Sequence, residues 1–524
     1  MAVLEALYEK VDVPAVVRFM LYLMPNINTD HPPDHGLRHT TPPFPPTSQV
    51  PRAMDKRPLR SPAGHCDFAR QTACLLQEVA SEIRVSPNEL IFCRANAWDD
   101  IYGNKPGKPD MEKSPLQAGG MPPNVPARAL TLAPWDDHVR QRKAWAYPFS
   151  NTALLGQEPL VQVYISKLIS CLDKLVSQGK AVNMAAWMTY TTFDIIGELC
   201  FAEPFGCLES GEQTDWSQDI IKIANAGMYE QASRRIAGVG TWMQGVLVKW
   251  LMPGEVWVER QQHFVKSREK TMRRIKDEGR EHKDFIYYVL RNAESKAMLS
   301  ELEIVMNTAL FIGAGSDTTA LMLTAWANLM LRNRSSYQKL VDEIRGAIRS
   351  VDDITFATVR DLEYLGAVIS ESFRMCAPVP TNLCRVVPAG GAQIDGNWVP
   401  KGTTVSVSPW AATHLPLNWD RPLEFIPERW LEGEQQRFPH DKRQASQPFS
   451  YGPRGCIGKN LANIEQKLII ANLLFHFDMD AAEGKEEQVA NERWRLDGDM
   501  AGLTAMLVWE KQPLWVRLSK RVIG

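Results

Sequence analysis

Apolar residues recur at every third and fourth position across residues 161–176 (VQVYISKLISCLDKLV), 192–201 (TFDIIGELCF) and 301–333 (ELEIVMNTALFIGAGSDTTALMLTAWANLMLRN), the spacing that gathers them on one face of a helix. The last run is long and mostly apolar, so it is expected to be buried along most of its length. Residues 361–375 (DLEYLGAVISESFRM) predict one more helix, and the sequence from 456 (CIGKNLANIEQKLIIANLLFHF) a final one. Between these two the period changes. Residues 393–410 (QIDGNWVPKGTTVSVSPW) alternate and are punctuated by turn residues, which predicts a small sheet, and residues 82–92 (EIRVSPNELIF) read as a short extended unit. Stretches 104–134 and 413–448 read as loops, and residues 25–64 are rich in Pro and His. The pattern predicts a mainly α protein with a small β region. It forms one large domain over residues 81–524, preceded by an atypical N-terminal segment, residues 1–80. Within that segment the apolar stretch 11–24 is interrupted by Pro14 and Arg18 and is short for a membrane span. It is expected either to lie in a membrane interface or to be an ordinary buried helix.

Composition narrows the function classes. A hydrophobic fraction of 44% and a charged fraction of 23% are ordinary for a globular chain, and 524 residues suffice to bury a core around an internal cavity. A net charge of −2 speaks against a nucleic-acid binder. The nine cysteines form no C-x-x-C pair, which argues against a zinc ribbon, and their odd number argues against a disulfide scaffold.

One cysteine stands apart. The segment Phe449-Ser-Tyr-Gly452-Pro-Arg454-Gly455-Cys456-Ile-Gly458 is glycine-rich and leads directly into the last helix. Glycines permit a tight backbone close to a flat object. The free N–H groups of a helix start favour a thiolate, and Arg454 adds a nearby positive charge. A thiolate held in this way suits a strongly donating ligand to iron. Three further patterns accompany it. Glu371 and Arg374 share a helix face at i, i+3, with Pro427-Glu428-Arg429-Trp430 downstream. Ala314-Gly315-Ser316-Asp317-Thr318-Thr319 interrupts the longest apolar helix with small and polar residues, and a carboxylate there demands a partner or a task. His138 and Arg142 stand at i, i+4 on a helix that opens after Pro134.

The cysteine segment matches F-x-x-G-x-R-x-C-x-G at every fixed position, and with E-x-x-R it resembles the cytochrome P-450 superfamily of haem-thiolate monooxygenases over residues 80–510. The resemblance implies an α-rich domain with a long central helix over haem b and minor sheets, with Cys456 as the axial iron ligand. It implies that Phe449, Gly452, Gly458, Ala314 and Gly315 line the cofactor, and that His138, Arg142, Arg385 and Arg454 face its propionates. Glu371, Arg374 and Arg429 would form a structural ion cluster, with Trp430 standing where the family has Phe. Asp317 and Thr318 would relay protons to dioxygen. Electrons would come from NADPH through a flavoprotein reductase, with Arg140, Lys143 and Lys459 as candidate docking cations.

The phrases NAWDDIYG, DDHVRQRKAWAYPFS and FDIIGELCFAEPFGCLESG are similar to fungal secondary-metabolism members of the trichothecene (isotrichodermin) hydroxylase type. They imply a lipophilic substrate: a terpenoid, polyketide or alkaloid. Substrate contacts are expected from residues 104–130, 208–255 and 378–384 and from the helix around Ala314. The family also implies a monomer on the cytosolic face of the endoplasmic reticulum membrane, although residues 1–80 depart from its usual membrane helix, hinge and first sheet. The apolar stretch 241–253 (TWMQGVLVKWLMP) is a candidate interfacial helix. Two alternatives stay open on the same scaffold: an isomerase, dehydratase or ring-forming oxidase, and an inactive haem-binding relative.

Overall fold

The computed structural model describes residues 82–104, 107, 110–118, 127–277, 279–496 and 502–521. The stretches 11–24 and 25–64, and part of the 104–134 loop, lie outside them.

The longest apolar run becomes the helix Glu301–Arg332, 32 residues long. Its start is set by a capping box: Ser300 accepts from the Glu303 N–H, and the Glu303 side chain accepts from the Ser300 N–H. Residues 319–330 are buried without a break. The helix Met184–Phe201 packs along it and is itself buried on nearly every side. The close approach depends on Gly315, where a Cβ would sit 2.8 Å from Ile196 Cδ1. These two helices, together with Glu363–Met375 and the terminal helix Lys459–His476, build the main core. A smaller core lies between the helix Asn96–Tyr102 and a five-stranded sheet.

In that sheet the extended unit expected over residues 82–92 is a hairpin of Glu82–Ser86 and Glu89–Phe92. The second strand pairs in parallel with Thr404–Val407, which pairs in turn with Arg385–Val386 and then Glu112–Lys113. The predicted small sheet also contains the hairpin Ala392–Ile394 and Asn397–Val399. Asp395 and Gly396 both take positive φ between these strands, as a type I′ turn requires. The loop 104–134 is less irregular than its composition suggests. It holds the strand Glu112–Lys113, whose partner Arg385 lies far away in the chain.

Stretch 413–448 has little regular structure, and buried charges organise it. The Glu371 carboxylate accepts from Arg374 Nε (2.9 Å) and Nη2 (2.8 Å), Arg429 Nε (3.2 Å), the Ile426 N–H (2.9 Å) and Trp430 Nε1 (2.8 Å). Arg374 also donates to the carbonyls of Thr413, Pro422 and Glu424, and Arg429 to Asp441 and the Asp420 carbonyl. Burial alone would push Glu371 up, but Arg374 and Arg429 outweigh it and hold the carboxyl below its usual value. Trp430 is more than a substitute aromatic, because its indole N–H fills an acceptor position that Phe would leave empty.

At the junction of the two long helices, Glu465 on the terminal helix is buried against Thr319 on the central one. Burial raises its pKa to about 8, and the Thr319 hydroxyl offsets this only in part.

Two outcomes follow from this packing. Trp430→Phe removes one donor from a buried carboxylate and should cost about 1–3 kcal/mol in denaturant unfolding. A loss below about 0.5 kcal/mol, the range of inert surface changes, would show the indole bond to be dispensable. Glu465 has a folded pKa above its unfolded value, so the folded state holds the proton more tightly. Its effect on stability therefore becomes more unfavourable as pH rises from about 4.5 to about 8, by up to about 1.4 kcal/mol per unit. Glu465→Gln should remove that part of the slope, and stability–pH curves parallel to the wild type would refute the assignment.

Candidate functional site

The cysteine loop is pinned from three sides. Within it, the Cys456 N–H donates to the Phe449 carbonyl at 2.8 Å and the Gly455 N–H to the Gly452 carbonyl at 2.9 Å. From the helix Trp135–Ala146, Arg142 donates to the Gly455 carbonyl. The third constraint is Gly452, which has φ +73°, and a Cβ there would collide with the Tyr102 carbonyl at 1.8 Å. Gly452 is thus required by the end of the helix Asn96–Tyr102, a constraint separate from the expected cofactor contact. Gly458 leaves room beside the sulfur, since its Cβ would lie 3.8 Å from Cys456 Sγ. Phe449 packs edge-on against Phe373 at 5.0 Å, joining the loop to the helix Glu363–Met375.

Cys456 is exposed, whereas the other described cysteines, apart from the half-buried Cys171, are buried. Burial by the surrounding loop raises its thiol pKa, and the N–H groups of Gly458 and Lys459 and the charge of Arg142 partly offset that rise. The helix-start donors expected from the sequence are present. The stabilising arginine is Arg142, and Arg454 is directed elsewhere.

Arg454 donates to the Ala133 carbonyl at 3.2 Å and lies over the Trp135 ring, while its Nε is buried without a partner. Arg385, buried on its strand, has the carbonyl of Cys384 as its hydrogen-bond acceptor, at 3.2 Å. Directly opposite it in register stands Lys113, which donates to the Thr131 carbonyl. Burial and the charges of Arg385 and Arg454 lower the Lys113 pKa to about 7. Burial and the charge of Arg385 likewise lower that of Arg454. Among the described residues, no ion pair neutralises any of these three cations. Like charges facing each other across a strand pair are destabilising, and an anion bound here would relieve them. The propionates of haem would supply that charge, and the residues present fit that cofactor. Lys113 was not foreseen: nothing in a lysine within a Pro-rich loop signals that it pairs with a distant strand.

His138 is placed differently from the expectation. It is buried, and its ring nitrogens face the carbonyls of Leu130 (3.0 Å) and Pro453 (3.4 Å). Burial lowers its pKa and keeps the ring neutral, so it has a single N–H to donate. That N–H can serve only one of the two carbonyls, and the shorter contact is the one to Leu130.

On the central helix, Ala314 is exposed although residues before and after it are buried. Thr318 Oγ1 donates to the Ala314 carbonyl at 2.8 Å, the back-bond that Thr makes inside helices. A Cβ at Gly315 would run into Ile196, so its small size serves the packing of the two helices. Asp317 is buried and ion-paired with Lys511 from the C-terminal hairpin. Asp317 and Thr318, adjacent in sequence and expected to act together, each engage another group.

Two of the candidate docking cations carry partners of their own: Arg140 pairs with Glu303 and Asp137, and Lys143 with Glu294. Lys459 is exposed at the start of the terminal helix.

Comparison with known proteins agrees with this geometry. The cytochrome P450 family model matches residues 125–501. The chain is 48% identical over 438 residues to the cytochrome P450 monooxygenase aba2 of Botryotinia fuckeliana, covering 84% of this chain and 83% of that one. It is 43% identical over 475 residues to ABA2 of Pyricularia oryzae (90% and 89%). It is 38% identical over 442 residues to astJ of Aspergillus oryzae (84% of each). With a cysteine loop, a buried Glu–Arg–Arg cluster and a long buried central helix in one core, the chain belongs to the cytochrome P450 family as a monooxygenase similar to those of fungal secondary metabolism.

Proposed function

We propose that this monooxygenase inserts one atom of dioxygen into a lipophilic product of fungal secondary metabolism, a terpenoid, polyketide or alkaloid, with Cys456 as the axial ligand of haem b. The observation that carries the reading is the un-neutralised group Lys113, Arg385 and Arg454, folded beside an exposed cysteine. When bound, the haem supplies dioxygen activation and the oxidising power of the reaction.

The protein's residues do the rest. Arg385 and Arg454, with Arg142 beside the loop, hold the propionates by charge-assisted bonds. The N–H groups of Gly458 and Lys459 donate to the Cys456 sulfur and temper its charge. Thr318 offers a hydroxyl on the open side of the central helix, and Asp317 provides the adjacent acid. General acid catalysis needs such a donor with access to water.

Electrons come from NADPH through a flavoprotein reductase that docks near Lys459. The enzyme works as a monomer at the endoplasmic reticulum membrane. No described helix is long and apolar enough to cross a membrane. Interfacial contact is supported by the helix Trp242–Leu251, where Trp242 is 79% exposed and Met243, Val246 and Trp250 are exposed beside Lys249. An apolar patch with a cation at its rim suits a lipid surface.

The reduced, carbon-monoxide-bound spectrum tests the ligand. Wild type should show the red-shifted Soret band of a thiolate-ligated haem and Cys456→Ala should lose it; a retained band would sink the assignment. For the proton path, Thr318→Ala should raise the share of NADPH electrons released as hydrogen peroxide, and an unchanged share would remove Thr318 from the relay.

A further inference from the structure

A cavity of about 390 Å³ is bounded by the helix Glu363–Met375, the terminal helix Lys459–His476 and the segment 446–450 that leads into the cysteine loop. None of Cys456, Ala314, Thr318, Arg385 and Arg454 lines it, so it is separate from the space where haem and dioxygen would sit. Part of its wall is apolar, formed by Ile369, Phe373, Phe449 and the Trp430 ring, with Phe373 and Phe449 edge to face. Its size falls within the range of small-molecule pockets and is many times what one water needs.

The polar groups of the lining are unevenly satisfied. Its donors are engaged with the protein. The Trp430 indole N–H bonds to Glu371, the Ser370 hydroxyl to the Gly366 carbonyl, the Lys467 ammonium to the Arg360 carbonyl and the Asn460 amide to the Phe149 carbonyl. Two oxygens are left over: Gln466 Oε1 and Ser450 Oγ are buried with no partner among the described residues. Gln466 is 1% exposed, so its carbonyl has no access to bulk solvent, and an unmet buried acceptor is costly. Ser450 has φ +60°, a left-handed conformation that a residue with a Cβ adopts only at a cost. Lys459 and Lys467 also line the cavity and disfavour a cation there, while the two unmet oxygens disfavour an anion.

We propose that this cavity is a second ligand site, which takes a small neutral aromatic amide and whose occupancy is felt at Cys456. The ring of the ligand packs against Phe373, Phe449 and Trp430, and its N–H groups donate to Gln466 Oε1 and Ser450 Oγ. The link to the cysteine is short. The Phe449 carbonyl accepts from the Cys456 N–H at 2.8 Å, and Ser450 is the next residue in the chain. A ligand that shifts this wall therefore acts on the backbone that holds the sulfur. The coupling rests on the reading of Cys456 as the iron ligand, and the binding does not.

The test uses the haem-loaded full chain, benzamide as the probe, and excess phenylimidazole to occupy the open side of the iron. Binding is read by equilibrium dialysis and by saturation transfer from protein to probe in NMR. Folding is checked by the reduced, carbon-monoxide-bound spectrum without the azole. Gln466→Leu should weaken benzamide binding about tenfold, the worth of one buried hydrogen bond. Ser450→Gly suits the positive φ and should weaken it about threefold, the low end for such a bond. Asn463→Trp fills the cavity and should abolish binding; the two small substitutions carry the test if the tryptophan disturbs folding. Benzoate, of the same shape but without a donor, should not bind. Benzamide binding that is equal in wild type and Asn463→Trp, undiminished in Gln466→Leu, or matched by benzoate overturns the site. For the coupling, saturating benzamide should change the affinity for phenylimidazole about fivefold or more in wild type, the low end of coupling between sites, and leave Asn463→Trp unaffected. An unchanged affinity in wild type, or an equal change in Asn463→Trp, overturns the coupling. The iron-ligand reading fails by a different result, a red-shifted band retained in Cys456→Ala.

Discussion

A single buried carboxylate, Glu371, holds together the half of the molecule that carries the cysteine. Its two oxygens accept from two arginines, an indole and a backbone N–H, and those arginines in turn tie down carbonyls from Thr413 to Glu424. Charges buried this deeply stabilise a fold only if every donor and acceptor is matched, and removing one partner leaves the others uncompensated. Here the matching is nearly complete. That explains how stretch 413–448, which has almost no regular secondary structure, keeps a defined path beneath the cysteine loop. Trp419 adds to this by lying within cation–π distance of both arginines.

The second group of cations shows the opposite balance. Lys113 and Arg385 face each other across a strand pair, and Arg454 adds a third charge. No ion pair among the described residues joins any of them to a carboxylate, although Glu112 and Asp110 lie close enough to act on Arg454. The same kind of side chain therefore has two meanings within one domain. Arg374 and Arg429, neutralised from within, are scaffold. Arg385 and Arg454 have only backbone carbonyls as hydrogen-bond acceptors, which leaves them able to receive an anion from outside the chain. The distinction rests on counting partners and not on residue type.

That distinction also marks how far the sequence alone could lead. The helices around Glu301–Arg332 and Lys459–His476 were legible because their apolar period is long, and the Glu371–Arg374 pair because helix geometry couples i with i+3. Cys456 was legible because a spaced glycine pattern surrounds it. Contacts set by register between distant strands left no local trace, as with Lys113 opposite Arg385 and Glu89–Phe92 beside Thr404–Val407. The glycines were visible, but their reasons were not. Gly452 answers to the Tyr102 carbonyl and Gly315 to Ile196, neighbours contributed by other elements. His138 was found as a candidate residue of the site, yet the carbonyls it faces, those of Leu130 and Pro453, belong to segments outside its own helix.

The central helix gathers these threads. A helix buried on most sides has to be apolar to pack, and small to let Met184–Phe201 approach. It also has to be polar where chemistry needs a proton. These demands meet within Ala314 to Thr319. Ala314 opens one face, Gly315 closes the other against Ile196, and Thr318 satisfies its hydroxyl on the helix backbone. Thr319 ties the segment to Glu465. Asp317 is the residue that local structure cannot accommodate, because a carboxylate in an apolar helix has no neighbour on its own element to offset its burial. Its compensation arrives from Lys511, almost two hundred residues later. An ion pair that spans the hairpin and the helix makes the acid's position depend on the placement of the C-terminal strand. A change in how that segment packs therefore acts directly on a carboxylate of the central helix.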